Sequence, residues 1–245
     1  FTTISEEMTP EQNFKFLNAY LKHCIPAIQK NEGFIDKYIG DAIMAIFPYK
    51  ADDAVKASVQ MLRDLEKYNS KRKKDNRNPI NIGIGLHTGN LMLGTIGNEK
   101  RMDGTVISDS VNLASRLEGL TKTFGASIVI SENTLNGIKI KEEYNYRFLF
   151  KVQVKGKNKT VDVYEVFDGD SKESFDLKLK TKHLYEQAFK HYFKKEFSKA
   201  LPLLEDVLKQ NPDDKAARIY LERLANFIVN PVNNDWEGIE SMNGK

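Results

Sequence analysis

The fold class follows from one stretch of the chain, Lys37-Tyr38-Ile39-Gly40-Asp41-Ala42-Ile43-Met44-Ala45-Ile46-Phe47. Two runs of mainly apolar and aromatic residues flank Gly40-Asp41, so the pattern predicts a β-hairpin over residues 34–47. A carboxylate in the turn of such a hairpin projects from the rim of a sheet, where a hard cation can bind. On its own this turn is weak evidence for a metal, because Gly-Asp is common in turns that bind nothing.

Helices are predicted on both sides of this hairpin. The tetrapeptide Thr9-Pro10-Glu11-Gln12 is typical of a helix N-terminus, and apolar residues follow it with helical spacing. A second helix is predicted over about 52–74, and we expect its final basic residues, 71–74, to lie in solvent at the helix end. Residues 80–86 and 91–94 are predicted to pair as a second hairpin.

The middle of the chain continues this alternation. Ser108 is predicted to cap a third helix that ends at Gly125. A strand over 127–130, a short helix over 132–138 and a hairpin over 146–167 follow it. Helices that alternate with antiparallel hairpins indicate the α+β class, with helices packed against one mixed sheet.

The composition changes after the last of these strands. We predict a catalytic domain over 1–168, a polar linker over 169–174, a helical extension over 175–229 and an irregular tail over 230–245. The extension is similar to one tetratricopeptide-type helical hairpin with an extra helix, and a single repeat cannot form a solenoid. We therefore expect it to pack on the preceding domain or on a dimer mate, with Trp236 as an anchor of the tail.

Composition narrows the classes of protein that remain. The 245 residues are 40% hydrophobic, enough for a sizeable core, and a net charge of +3 is too small to indicate nucleic acid. No run of eighteen apolar residues occurs, so we expect no membrane contact in this chain. Cys24 is the single cysteine, which excludes an internal disulfide, and its place in an apolar helical stripe predicts burial.

Two polar patterns carry candidate chemistry. Asn112 and Arg116 are four residues apart, so both lie on one face of the predicted third helix, where an amide and a guanidinium can bind a ribose oxygen and a phosphate. A solvated polar face explains the same pattern. The basic run Val154-Lys155-Gly156-Lys157 by itself indicates only an exposed hairpin turn.

Taken in this order, the Gly-Asp hairpin, the Asn-x-x-x-Arg helix and the Val-Lys-Gly-Lys turn resemble the class III nucleotidyl cyclases. The resemblance extends from Phe1 to about Phe167, and Phe1-Thr2-Thr3-Ile4-Ser5 is similar to the end of that family's opening signature. It implies a ferredoxin-like, palm-type mixed sheet and a head-to-tail homodimer with active sites across the interface. The implied reaction converts ATP to 3′,5′-cyclic AMP and pyrophosphate, with two divalent ions, Mg²⁺ or Mn²⁺, as cofactors.

The resemblance also assigns the metal and phosphate groups. Asp41 is the second of two metal-binding aspartates, and the first lies four positions before Phe1. The backbone around Phe1 and Thr2 cradles the triphosphate. Because the chain begins with Phe1 rather than Met, we expect a segment of a longer protein that by itself binds metal poorly and turns over little ATP.

The other protomer is implied to complete the site and its base specificity. Asn112 orients the ribose, while Arg116 and Lys155 neutralise phosphate charge. Lys37 and Thr105 take the base-reading positions. A lysine only donates hydrogen bonds, which suits adenine N1 and not guanine N1–H, and the threonine hydroxyl can accept from the adenine amino group.

Threonine at that position marks the subgroup called class IIIb, several members of which respond to bicarbonate. The resemblance implies a bacterial, cytoplasmic signalling domain with an upstream sensor or membrane anchor. The alternative is a pseudo-cyclase that binds nucleotide without turnover and serves as a regulatory dimerisation module.

Overall fold

The structure is a computed structural model that describes residues 8–98, 101–153 and 160–240. The helices are α1 (Pro10–Lys30), α2 (Ala51–Lys74), α3 (Asp109–Phe124), α4 (Glu132–Gly137), α5 (Lys172–Phe193), α6 (Phe197–Gln210) and α7 (Lys215–Val229). The strands are β1 (Phe34–Ile39), β2 (Ala42–Ile46), β3 (Ile84–Leu86), β4 (Met92–Asn98), β5 (Arg101–Ile107), β6 (Ile128–Ser131), β7 (Tyr146–Gln153), β8 (Thr160–Val166) and β9 (Ile239–Glu240).

These elements form two compact units. The first unit comprises the described residues up to Ile82 with Thr88–Asn112 and Gly137–Lys139, and the second comprises Gly83–His87, Leu113–Asn136 and the residues from Ile140 onward. The elements mix helices and strands in both units, which confirms the predicted α+β class. No helix in the described ranges is long and apolar enough to cross a membrane.

In the first unit, α1 and α2 pack against each other. The Thr9 hydroxyl accepts a hydrogen bond from the Gln12 N–H, and the Gln12 side chain accepts one from the Thr9 N–H, so the predicted capping motif is confirmed. Cys24 is fully buried in the apolar face of α1, as predicted. Asp52, buried in the first turn of α2, accepts from the backbone N–H of Lys139 at 3.1 Å.

The basic end of α2 differs in one residue from the prediction. Lys71, Lys73 and Lys74 are exposed as expected, but the Arg72 side chain is buried. Its guanidinium carbon lies 5.3 Å from the centre of the Phe16 ring, and its Nε donates to the Asn78 carbonyl at 2.7 Å. The prediction for Arg72 is therefore wrong. The contact with the aromatic ring and the hydrogen bond to the following turn stabilise the buried guanidinium more than exposure to water would.

The described strands form three sheets rather than the single sheet that we expected. β1 and β2 make the predicted hairpin, and β4 pairs with β5 in a separate antiparallel hairpin. β3 instead runs parallel to β6, with Ile84 opposite Ile128, so the predicted pairing of 80–86 with 91–94 is wrong. Local apolar runs identify strands, but a parallel partner lies beyond an intervening helix and cannot be read from the neighbouring residues.

The second unit contains the five-stranded sheet β3-β6-β8-β7-β9 and the helices α5 to α7. Sheet residues such as Leu149 and Val163 share one hydrophobic core with Tyr185 and Ala188 of α5. The first of these helices begins at Lys172, three residues before the predicted start. The C-terminal helices and the sheet are thus parts of one folded body.

A cluster of charged side chains lies inside this second unit. Arg147 on β7 makes a bidentate pair with Asp214, the N-cap residue of α7, at 2.5 and 2.9 Å, and also donates to Glu165 on β8. Lys178 on α5 donates to Glu165 at 3.0 Å and to Asp170 at 2.7 Å. We call these five residues the buried charge cluster. It joins two strands of the sheet to α5 and α7.

The electrostatics of the cluster favour its charged forms. Burial on its own lowers the pKa of Arg147 and of Lys178, but the neighbouring carboxylates, Glu165 first in each case, raise both above their ordinary values. Burial likewise tends to raise the pKa of Asp214, and Arg147 outweighs it so that the pKa ends below the ordinary value. Each charge therefore depends on its partners.

The chain returns to the sheet near its end. Trp236 packs edge-on against the rings of Tyr192, Phe197 and Phe227 at centroid distances between 5.0 and 5.5 Å, as predicted for an anchor. Beyond it, β9 pairs in parallel with Lys151 and Val152 of β7.

Candidate active site

The β1–β2 hairpin presents two of the predicted site residues. Gly40 takes a φ of +62°, a left-handed conformation that glycine adopts without strain, and this closes the turn. Asp41 follows it, and its half-buried carboxylate has no hydrogen-bond or ion-pair partner among the described residues. Lys37 lies on β1 opposite Met44. The turn thus places a free carboxylate and an ammonium on one short hairpin.

The surroundings of Lys37 contain a residue that sequence reasoning missed. The register of β1 against β2 shifts between Ile35 and Lys37, which leaves Asp36 as the extra residue of a β-bulge. The Lys37 ammonium lies 3.2 Å from Asp36 Oδ2, and the Asp36 side chain is only 10% exposed. A bulge has no signature in the alternation of apolar residues, so the sequence alone does not reveal this contact.

Asp41 fits part of a magnesium site. Mg²⁺ is usually held by one or two carboxylates together with substrate phosphates and waters, and a partly exposed turn carboxylate supplies one such ligand. Among the described residues no group of three or more acidic, histidine or cysteine side chains is arranged to hold an ion. Asp41 would therefore hold a metal only together with the nucleotide's phosphates or another ligand.

The helix α3 carries the next two predicted residues. Ser108 precedes it, and its hydroxyl accepts from the Ser110 N–H at 2.9 Å, which confirms the predicted cap. The same hydroxyl donates to the Asn90 carbonyl at 2.6 Å. Asn112 is exposed and Arg116, one turn later, is half-buried, so the helix brings the amide and the guanidinium onto one face as predicted.

Two glycines of the second unit allow α3 to pack closely against the strand β3. A Cβ at Gly85 would lie 2.3 Å from the Ala114 carbonyl oxygen and from the Glu118 nitrogen. A Cβ at Gly83 would lie 2.0 Å from the Thr121 hydroxyl oxygen. Both glycines thus position the helical turns that flank Arg116, a role we did not predict. Gly85 within β3 and Gly83 just before it are the sequence signal for such a close approach.

The remaining predicted residues belong to other segments. Thr105 lies on β5, where its backbone pairs with Gly94 of β4. Phe1, Thr2 and Lys155 lie outside the described residues. The structure therefore brings the predicted residues together in two local pairs, one on the β1–β2 hairpin and one on α3.

The sequence relatives agree on the type of domain. The chain is 44% identical over 172 residues to an adenylate cyclase of Anabaena cylindrica, a match that covers 68% of this chain and 34% of the relative. It is 37% identical over 229 residues to the terminal-differentiation specific adenylate cyclase of Dictyostelium discoideum, covering 91% of this chain and 11% of the relative. The chain thus spans about a third or less of the length of these relatives.

A solved structure agrees with them. The guanylyl cyclase Cya2 is 34% identical in sequence with a TM-score of 0.58, over 68% of this chain and 85% of that one. This likeness confirms the palm-type α+β class. The sequence profile of the adenylate and guanylate cyclase catalytic domain matches residues 1–167, which is more than half of the chain. The chain therefore belongs to the family of adenylate and guanylate cyclase catalytic domains.

Proposed function

We propose that the protein is an adenylate cyclase that converts ATP to 3′,5′-cyclic AMP and pyrophosphate. The observation that carries this proposal is the β1–β2 hairpin, where Lys37, a donor suited to adenine, and Asp41, a carboxylate with no partner among the described residues, stand four residues apart in a cyclase-family domain. The names of the Anabaena and Dictyostelium relatives support the same activity.

In the proposed reaction, the ribose 3′-oxygen attacks the α-phosphorus. A new oxygen–phosphorus bond forms, the bond from the α-phosphorus to the bridging oxygen breaks, pyrophosphate leaves, and the 3′-hydroxyl proton passes to solvent. Two divalent ions, when bound, lower the pKa of the 3′-hydroxyl and offset charge on the phosphate oxygens. Asp41 is their proposed protein ligand in this chain, with an upstream aspartate as the second.

The other residues act on the nucleotide itself. We assign Asn112 to the orientation of the ribose, because its exposed amide both donates and accepts. Arg116 and Lys155 stabilise the negative charge that builds up on the phosphates, and the backbone at Phe1 and Thr2 contributes N–H donors. Preorganised cations of this kind typically contribute several kcal/mol to lowering the barrier, of order 3 kcal/mol for one donor.

Base selection is the finer part of the proposal, since the solved relative Cya2 is named a guanylyl cyclase. Lys37 donates to adenine N1 and faces a second donor if guanine is bound. Thr105 accepts from the adenine amino group, which would place the protein in the Thr-type class IIIb. Both residues favour ATP.

A homodimer is proposed to complete each site, in the head-to-tail arrangement that the family resemblance implies. The support is the exposed apolar surface of two hairpins in the first unit. Large apolar side chains that are at least half exposed lie at the end of β1 (Tyr38 and Ile39) and on β4 (Met92 and Leu93). Exposed apolar side chains grouped on strands are typical of association surfaces.

The predicted domain division stays part of the proposal. We assign residues 1–168 to the catalytic domain and 175–229 to a tetratricopeptide-like helical extension. The match to the Dictyostelium relative covers 91% of the chain, whereas the family profile ends at residue 167, so part of the extension is shared with that relative. A cytoplasmic location is proposed because ATP is the proposed substrate, and an upstream sensor is proposed from the family resemblance alone.

The activity is tested with the full-length protein, ATP, and Mg²⁺ or Mn²⁺, by measuring cyclic AMP. We expect turnover in the wild type, and a loss of about a hundredfold or more for Arg116→Ala, as for other groups that act in the transition state. Asp41→Ala should lose activity in a way that added metal does not restore. The exposed substitution Lys180→Ala serves as a control.

Nucleotide binding without any cyclic AMP, in a folded dimer supplied with metal, would instead identify a pseudo-cyclase. Base selection has its own test, the double variant Lys37→Glu, Thr105→Cys. It should lower the ratio of ATP to GTP turnover, and an unchanged ratio would refute the assignment of these two residues.

A further inference from the structure

The β-bulge in the active-site hairpin has an unusual charge arrangement. In a regular strand the side chains of Asp36 and Lys37 would point to opposite faces of the hairpin. The pairing runs from Ile35 opposite Ala45 directly to Lys37 opposite Met44, so Asp36 is accommodated as the extra residue. A bulge of this kind turns two consecutive side chains toward one side, and here it brings a carboxylate within 3.2 Å of the Lys37 ammonium.

One carboxylate oxygen of Asp36 lacks a hydrogen-bond donor among the described residues. Its Oδ2 is buried and receives no hydrogen bond of good geometry from any described residue, although the Lys37 nitrogen is close enough for an ion pair. A buried carboxylate with so few donors is unfavourable for folding.

Lys37, in contrast, remains accessible. Its side chain is 37% exposed, whereas that of Asp36 is 10% exposed, so the pair has one enclosed member and one that faces outward. An ammonium carries three protons. One can be directed at the enclosed carboxylate while the others stay available to a ligand on the open side.

We propose that Asp36 is a positioning residue that holds the Lys37 ammonium in place for base recognition and so contributes to the preference for ATP over GTP. This rests on the proposed function, because it takes Lys37 as the residue that reads the base. A free lysine side chain loses rotamer freedom when it binds, and a carboxylate that fixes the ammonium beforehand reduces that loss. With guanine bound, a fixed ammonium cannot rotate away from the N1–H group, so two hydrogen-bond donors would be held opposite each other.

The test compares Asp36→Asn and Asp36→Glu with wild type in the full-length protein, and uses Glu66→Gln, the loss of an exposed charge on α2, as control. The measurements are KM and kcat for ATP and GTP, and the dissociation constant of 3′-deoxy-ATP, which cannot cyclise. For Asp36→Asn we expect KM for ATP and the dissociation constant to rise about threefold to tenfold, the ordering cost of one long side chain.

The same variant should keep kcat nearly unchanged, lower the ATP-to-GTP ratio, and melt at an equal or higher temperature. Asp36→Glu should restore part of the affinity. Unchanged KM, affinity and nucleotide ratio in Asp36→Asn would overturn the inference, as would a loss confined to kcat. If neither variant folds, Asp36 acts on the fold and the inference is also overturned.

The two proposals fail in different ways. A wild type that binds 3′-deoxy-ATP but makes no cyclic AMP refutes the cyclase activity, and the inference is then judged from the dissociation constants alone. A wild type that makes cyclic AMP while Asp36→Asn matches it in every measurement refutes only the role of Asp36. A wild type that neither binds nor turns over the nucleotide refutes both.

Discussion

The first unit places Lys37 and Asp41 on one short hairpin, where Asp41 lacks a partner among the described residues, and it exposes apolar side chains such as Met92 on another hairpin. The second unit encloses several of its charges: Arg147 and Glu165 are almost fully buried, and each is paired. A polar group that must bind a ligand keeps some of its hydrogen-bonding capacity unused, whereas a buried polar group that stabilises the fold is paired within the protein. Lys37 and Asp41 therefore belong to the first unit and the buried charge cluster to the second, which also carries the proposed phosphate-binding residue Arg116.

Two natural probes report on the units separately. Cys24, the single cysteine, is buried in the first unit, and burial raises the pKa of its thiol to about 11, so it should react at neutral pH only when that unit opens. Trp236, the single tryptophan, lies in the aromatic cluster of the second unit. Thiol labelling and tryptophan fluorescence thus follow the two units in one sample.

The largest effect is expected from Asp214→Ala. It removes one of the two carboxylate partners of the buried Arg147 guanidinium and also the N-cap of α7, since Asp214 Oδ1 accepts from the Ala217 N–H at 3.0 Å. We expect a loss of about 3 to 5 kcal/mol in the free energy of unfolding. Denaturant titration followed by Trp236 fluorescence measures it.

Asp213→Ala is the matched control, because Asp213 is the exposed neighbour in sequence. Its transition should move little. If the two units unfold separately, Asp214→Ala should shift the unfolding midpoint read by Trp236 fluorescence far more than the midpoint read by Cys24 labelling. Equal shifts at both probes would show that the units unfold together, which would contradict the separation of the two units.

The next effect is the response to acid. The pKa of Asp214 is lowered in the folded state, so its contribution is present above its ordinary value of about 4 and is lost as the pH falls through the lowered value. The pKa of Lys178 is raised, so its contribution is lost only as the pH rises above about 10.4. These two groups should leave the Trp236 transition unchanged between these limits, and Asp214 should weaken it below about pH 4. Burial lowers the pKa of His87 in the same unit, so this imidazole adds a separate loss as the pH falls below about 6.5.

The acid loss should be smaller in Asp214→Ala, which no longer has this carboxylate, than in Asp213→Ala. Unfolding midpoints at several values between pH 3 and 7 provide the measurement. The same slope in both variants would mean that the acid sensitivity arises outside the buried charge cluster.

A smaller effect is expected from replacing glycines that share one backbone conformation. Gly40 in the first unit and Gly238 in the second have φ values of +62° and +68°. A Cβ at Gly40 meets nothing within 4 Å, whereas one at Gly238 lies 3.2 Å from the Phe193 ring and 3.4 Å from the Trp236 ring. Alanine should cost about 1 kcal/mol at Gly40 from the backbone alone, and about 2 kcal/mol at Gly238.

Urea unfolding of the two variants, read by both probes, distinguishes these costs. An equal loss at the two positions would mean that the packing around Gly238 yields easily, contrary to the close contacts of the aromatic cluster.

The smallest effect belongs to an exposed ion pair of the first unit. Lys15 Nζ lies 2.7 Å from Glu11 Oε1 in α1, and both side chains are more than three-quarters exposed. Glu11→Gln should change the free energy of unfolding by no more than about 0.5 kcal/mol. A change that approached the effect of Asp214→Ala in thermal or urea unfolding would contradict the contrast between exposed and enclosed charge.

Local signals in the sequence predicted what local interactions determine. The cap at Thr9, the turn at Gly40 and the cap at Ser108 are each set by a few neighbouring residues, and all three are confirmed. The local pattern also predicted the hairpin that carries Lys37 and Asp41 and the helical face that carries Asn112 and Arg116, whereas the proposed roles of these residues come from the family resemblance.

What the sequence did not predict depends on residues far apart or on local irregularity. Arg147 and Asp214 are 67 positions apart, and nothing near either residue indicates the other. β3 finds its parallel partner across the whole of α3. The contact of Asp36 with Lys37 requires a bulge, which changes the direction of a side chain without changing the pattern of apolar residues.

The short strand β9 bears on the solubility of this chain. β7 would otherwise offer its outer backbone groups to strands of other molecules, a common route to aggregation. By pairing with Lys151 and Val152, β9 occupies part of that edge with the chain's own residues. Shortening the protein before Ile239, for example to the boundary of the family profile at residue 167, would uncover the edge and remove the helices that enclose Arg147. Expression of such a shortened domain should therefore yield aggregates, and the shared C-terminal helices are best kept when this cyclase domain is produced.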